Sequence, residues 1–172
     1  MIKYFRAAVP PKLLINPIHL ISFGFGSGLS PFASGTFGTL AAIPFYYYMQ
    51  FLPLGYYILL VFLTFALGVY VCDVTTKALG VHDHGAIVWD EFVGYFITMI
   101  AIPSGWIYII VGFFLFRVFD VFKPWPIHIL DEKVSGGFGI MIDDVLAGIY
   151  SLVCMHVLLY FGIFDKINAI FL

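Results

Sequence analysis

Charge is nearly excluded from long stretches of this chain, and what charge there is gathers in the connections between them. Only 10% of the 172 residues are Asp, Glu, Lys or Arg, and 62% are hydrophobic. An ordinary soluble domain carries about 25% charged residues, so a water-facing exterior is not the environment this sequence is built for. Apolar segments at about 36–52, 56–72, 87–103, 105–122 and 143–164 each reach the roughly 17 residues needed to cross a hydrocarbon core of about 30 Å. In that solvent every backbone N–H and C=O must be paired within the chain, which makes the segments helices. The expected fold is therefore all-α: one domain over residues 1–172, a polytopic membrane bundle of about five transmembrane helices. The segment from Leu13 to Gly24 contains Asn16-Pro17 and is too short to cross, so it reads as an N-terminal interfacial or re-entrant piece.

The placement of basic residues orients the bundle. With five crossings, Lys3, Arg6, Lys12, Lys77, Arg117, Lys123 and Lys133 fall on one side and Lys166 alone on the other. The excess of Lys and Arg marks the cytoplasmic side, which then holds the N-terminus and both long polar loops. Tyr46, Tyr47, Tyr48, Tyr56, Tyr57, Trp106, Tyr108 and Tyr160 are expected as an aromatic belt at the opposite boundary. A net charge of -2 without a basic run excludes a nucleic-acid partner. Cys72 and Cys154 both sit in apolar runs and read as small buried hydrophobes. Pro10-Pro11 interrupts the basic N-terminus, and a removable signal peptide is not expected.

Three polar stretches interrupt the apolar pattern. The first is Gly26-Ser27-Gly28-Leu29-Ser30-Pro31, the second runs from Asp73 to Glu91, and the third runs from Arg117 to Asp144. Two of them end in paired acids, Asp90/Glu91 and Asp143/Asp144, at the start of an apolar segment. One acid at a helix start is explained by capping and the macrodipole. The second points about 100° further round the helix and has to face the bundle or its loops. Four carboxylates brought together repel one another unless a cation sits among them, and hard oxygen donors without a Cys partner favour Mg²⁺ or Mn²⁺ over zinc.

Asp90, Glu91, Asp143 and Asp144 are thus the expected metal ligands, with Asp83 as a further contributor. His84, and less so His82, can bind metal or move protons. Arg117, Asp120 and Lys123 recur every three residues, and a planar guanidinium beside an ammonium suits a phosphate group. Asp90 and Asp144 are each followed four residues later by glycine, Gly94 and Gly148, small enough to admit a neighbouring helix.

These blocks together resemble the phosphatidylglycerophosphatase A family. The resemblance covers about residues 16–150 and rests on four blocks in order: Gly26–Pro31 with Gly35-Thr36; Asp83 with Ile87-Val88-Trp89-Asp90-Glu91 and Gly94; Arg117-Val118-Phe119-Asp120 with Lys123-Pro124-Trp125-Pro126; and Gly136-Gly137 through Asp143-Asp144 with Ala147-Gly148. The chain departs from the family pattern at His82, His84 and Ser34.

The resemblance implies a Mg²⁺-dependent phosphatase of the bacterial inner membrane, multi-pass, acting on phosphatidylglycerophosphate with its site facing the cytoplasm. Asp83 and Asp120 are then the expected catalytic groups and Arg117 and Lys123 the substrate-binding ones; His84, where the chain departs from the family, stays a catalytic candidate on its own chemistry alone. An ion-coupled transporter is the alternative, but transport sites lie near the midplane and these acids lie near helix ends. Oligomeric state is not legible in the sequence.

Overall fold

The computed structural model describes residues 9–81 and 84–166. Among them the chain is all-helical, with no strand. Two short helices, α1 (Pro11–Leu14) and α2 (Pro17–Ser22), lead into a glycine-rich 3₁₀ segment, Gly24–Leu29. Five longer elements follow, α3 (Ser34–Met49), α4 (Leu54–Leu79), α5 (Trp89–Thr98), α6 (Trp106–Phe122) and α8 (Gly136–Tyr160), with the short α7 (Ile127–Lys133) between the last two.

Among the described residues, only α4 and α8 are long and apolar enough to cross a membrane on their own. In α4 just 28% of the apolar window is buried, less than a core helix would bury. Its exposed Leu59, Phe62 and Leu63 present a hydrocarbon face outward. The segments expected at 36–52 and 105–122 form helices of 16 and 17 residues, the first running unbroken through Pro44.

The segment expected at 87–103 differs most. Its helix, α5, has ten residues, about 15 Å of rise, and every one of them except Asp90 is buried. Beyond Thr98 the backbone tightens, Met99 N–H bonding to Phe96 O and Ile100 N–H to Ile97 O, and Ala101 takes a left-handed φ of 57°.

The carbonyls left over at the end of a helix need donors. Tyr57 supplies one, its hydroxyl donating to Phe96 O at 2.7 Å, and Tyr95 reaches Ile109 O on α6 at 3.1 Å. Tyr46 packs edge-on against both rings. Tyr46 and Tyr57 are consequently core residues rather than members of a surface belt, whereas Tyr48, Tyr56, Trp106 and Tyr160 are exposed as expected.

α5 is the hub on which α3, α4, α6 and α8 pack, with α8 its main neighbour. The α5–α8 crossing is backbone to backbone. A Cβ added at Gly148 would lie 2.5 Å from Gly94 O, and one added at Gly94 would lie 2.8 Å from Asp144 O. The start of α5 is pinned from two sides: Val88 N–H donates to Ser22 O at 2.9 Å, and the Trp89 indole donates to Thr64 O at 3.1 Å. α2 in turn is tied to α4 by His19 Nδ1 and Thr75 Oγ1, 2.9 Å apart.

Candidate active site

Two helices bring the paired acids into one place. Asp90 and Glu91 lie in the first turn of α5. Asp143 and Asp144 lie about two turns inside α8, because that helix starts at Gly136 and not at Asp143. The start of α8 is served by Asp73 instead, whose Oδ1 accepts the Gly137 N–H at 3.3 Å. Capping therefore cannot account for Asp143 and Asp144, which sit where no helix donors remain free.

One oxygen each from Asp90, Glu91 and Asp144 lie within 4.8 Å of one another. Glu91 Oε2 and Asp144 Oδ2 are buried and accept no hydrogen bond, and neither does Asp143 Oδ1. Buried oxygens without donors are costly unless a cation completes them. The donor set is all carboxylate, which suits Mg²⁺ with water in the remaining positions. Asp143, the fourth ligand expected from sequence, stands outside that triplet: its Oδ2 accepts from Lys123 Nζ at 2.7 Å.

The basic residues are already engaged. Arg117 pairs with Asp120 one turn further along α6, lies 4.0 Å from Glu91 Oε1, and reaches Thr39 Oγ1 at 3.5 Å, leaving a buried Nε with no acceptor. Gly35 makes room for this arrangement, since a Cβ there would strike both Glu91 Oε1 and the Arg117 guanidinium. Lys123 closes α6 in the left-handed region, φ 40°, and spans Asp143 and Asp131 at 2.7 and 2.8 Å. Burial alone would lower the Lys123 ammonium, but the two carboxylates outweigh it and hold the group above its ordinary range, firmly protonated.

The acids line one cavity of about 150 Å³ that also holds Ser34, Gly85, Lys123 and Asp131. At about 30 Å³ per water in the liquid, that is room for a hydrated ion and little more without movement of the lining. Six acids line it against one lysine, with Arg117 at its edge.

Asp83 and His82 lie outside the described residues. His84 is buried in the loop before α5, its Nδ1 accepting the Ala86 N–H at 3.2 Å and its carbonyl accepting the Ile87 N–H at 2.8 Å. Asp131 is the acid the sequence reading passed over. Its signal in the sequence is an acid of the Asp131-Glu132 pair, eight residues from Lys123 within one polar stretch. Because Asp131 is partly exposed, Asp131→Asn is expected to lower unfolding stability in detergent by less than about 1 kcal/mol.

Comparison with known proteins adds a separate line of support. Residues 20–159 match the family model described as Phosphatidylglycerophosphatase A. A protein of that name from Escherichia coli (strain K12) is 56% identical over 137 residues, covering 79% of this chain and 80% of its own length. Its namesake from Haemophilus influenzae is 54% identical over 150 residues, 86% of this chain and 91% of that protein. A Bacteroides thetaiotaomicron protein, 42% identical over 148 residues, 80% of this chain and 91% of its own, is provisionally named a phosphatidylinositol-3-phosphatase. No solved structure matches the chain.

Proposed function

As the chain belongs to the phosphatidylglycerophosphatase A family, we propose that it hydrolyses phosphatidylglycerophosphate to phosphatidylglycerol and inorganic phosphate, with Mg²⁺, at the cytoplasmic leaflet of the bacterial inner membrane. The observation that carries the metal assignment is the Asp90–Glu91–Asp144 triplet with its buried oxygens on Glu91 and Asp144 awaiting a partner. Five crossings and a cytoplasm-facing cavity are supported by the distribution of Lys and Arg in the sequence. Membership of an enzyme family, together with acids at the start of α5 and in the first half of α8, favours this reading over an ion-coupled transporter.

Asp90, Glu91 and Asp144 would hold the ion, and Asp143, which lines the same cavity, holds Lys123. When bound, Mg²⁺ polarises the phosphoryl oxygens and makes a bound water easier to deprotonate. Arg117 and Lys123 neutralise charge on the phosphoryl oxygens, their side chains already held in place by Asp120, Asp131 and Asp143. The water oxygen forms the new bond to phosphorus as the bond to the glycerol oxygen breaks. Asp120 or Asp83 takes the water proton, with His84 the alternative carrier, and a proton returns to the departing glycerol oxygen.

Purified protein in detergent is expected to release phosphate from phosphatidylglycerophosphate only with Mg²⁺ present, to stop on chelation and to recover when Mg²⁺ is restored. The substrate assignment is checked against phosphatidylinositol 3-phosphate under the same conditions. Faster hydrolysis of the inositol lipid, or activity indifferent to chelator, contradicts the proposal.

A further inference from the structure

The acid cavity does not end at its own walls. It shares Ser34, Glu91, Asp120 and Lys123 with a wider opening of about 510 Å³, where Gly35 at the start of α3 faces Arg117 and Val121 near the end of α6. From that opening α3 and α6 run side by side but pack sparsely, in contrast to the close packing of α6 on α8. They are joined near the opening by Arg117 and Thr39, and at the far end by Tyr47 and Trp106, whose rings stack with centroids 5.6 Å apart and planes 22° from parallel.

Helix periodicity fixes what lies between these anchors. At 100° per residue, the α3 face that carries Tyr47 also carries Leu40, and the α6 face that carries Trp106 and Arg117 also carries Ile110 and Phe114. All three intervening side chains are apolar and exposed. Residues 40–46 and 107–116 contain no Asp, Glu, Lys or Arg. Trp106 and Arg117 are separated by about 16 Å of helix rise, close to one leaflet's half of a hydrocarbon core of about 30 Å.

We infer that the α3–α6 cleft is an acyl-chain subsite, through which the substrate slides sideways from the bilayer with its phosphate leading past Arg117. The inference rests on the lipid-phosphatase reading above and adds to it the path and the seat of the hydrocarbon. The occupant is fixed by the two ends of the cleft. Two cations, Arg117 and Lys123, line the mouth beside Glu91 and Asp120, and an uncharged trough about one leaflet long runs behind them. A molecule with an anionic head and a hydrocarbon tail matches both, whereas a protein helix or a second copy of this chain would satisfy only the trough.

The test compares Ile110→Trp with the parent on long-chain phosphatidylglycerophosphate and on a water-soluble short-chain analogue with the same headgroup. Ile110 is exposed and lies in the trough, away from the residues that line the mouth, so the larger ring fills the acyl path without repacking the core. The expected result is a loss of about tenfold or more in kcat/KM for the long-chain lipid and little change for the analogue, the scale on which apolar subsites discriminate. Leu63→Trp, on the outer face of α4, leaves both unchanged.

In a second measurement, long-chain substrate with a photoreactive group near the acyl terminus labels the parent protein. Labelling of α3 and α6 peptides is expected. Equal effects of Ile110→Trp on both substrates, labelling of the α4 face, or cross-links between copies of the chain would overturn the inference. A parent protein that releases phosphate from neither lipid overturns the activity instead, and the labelling pattern still decides the cleft.

Discussion

Asp144→Asn is expected to leave a folded, membrane-inserted protein that releases phosphate at least about 10³-fold more slowly than its parent, a loss of about 4 kcal/mol in transition-state stabilisation. The substitution keeps the shape of the side chain and removes only its charge and one acceptor oxygen. Asp144 is 3% exposed, its Oδ2 accepts no hydrogen bond, and it belongs to the one triplet of acids among the described residues close enough to share an ion.

A carboxylate kept for stability would behave differently. Asp144 has Asp90, Asp120 and Asp143 as electrostatic neighbours, so neutralising it relieves repulsion. Unfolding stability without metal should therefore hold or rise while activity collapses. Mg²⁺ should raise the melting temperature of the parent, by the linkage between binding and folding, and leave the variant unmoved. Full activity in Asp144→Asn would remove that residue from the site.

Gly148→Val is expected to fail in the opposite way, losing stability and activity together. The added Cβ would fall 2.5 Å from Gly94 O and 3.1 Å from Ile97 Cβ. The nearest atom is backbone, on a helix buried at every position but Asp90, so no flexible side chain can swing aside. Overpacking of this kind costs about 1–3 kcal/mol and more where backbones meet, and we expect the upper end of that range or beyond. Pushing α5 and α8 apart also separates Asp90 and Glu91 from Asp144. Gly55→Ala is the matched control, since a Cβ there meets nothing within 4 Å, and it should unfold no more easily than the parent. Urea unfolding in mixed micelles alongside phosphate release distinguishes the two substitutions.

These two residues also show how much was legible beforehand. The paired acids stood out because burial in an apolar chain leaves a carboxylate few bland roles, and the four-residue step from each pair to a glycine pointed to a helix crossing that the structure contains. The start of α8 was misread for a physical reason. Gly136, Gly137 and Gly139 look like loop residues, yet they form its first turn, because Gly137 lies against Val69 O of α4 and Gly139 against Val134 O.

The brevity of α5 was hidden because a buried apolar turn, Met99 to Ile102, has the same composition as a continuing helix. Residue type alone points Tyr46 and Tyr57 to the surface, whereas the Phe96 carbonyl, which accepts the Met99 N–H only at 3.3 Å, takes the Tyr57 hydroxyl at 2.7 Å and holds it inside. Asp131 lacked a periodic partner, and only the fold brings it to Lys123.

The glycine crossing of α5 and α8 works as a pivot. Asp90 and Asp144 each sit four residues, about 6 Å of rise, before the glycine on their own helix. A swing of about ten degrees would displace a carboxylate at that radius by about 1 Å, a misplacement that can cost about 10²-fold in rate. With so short a lever arm, and with Gly94 O and Ile97 Cβ closing the space beside Gly148, the two halves of the acid cluster have little freedom to change their spacing.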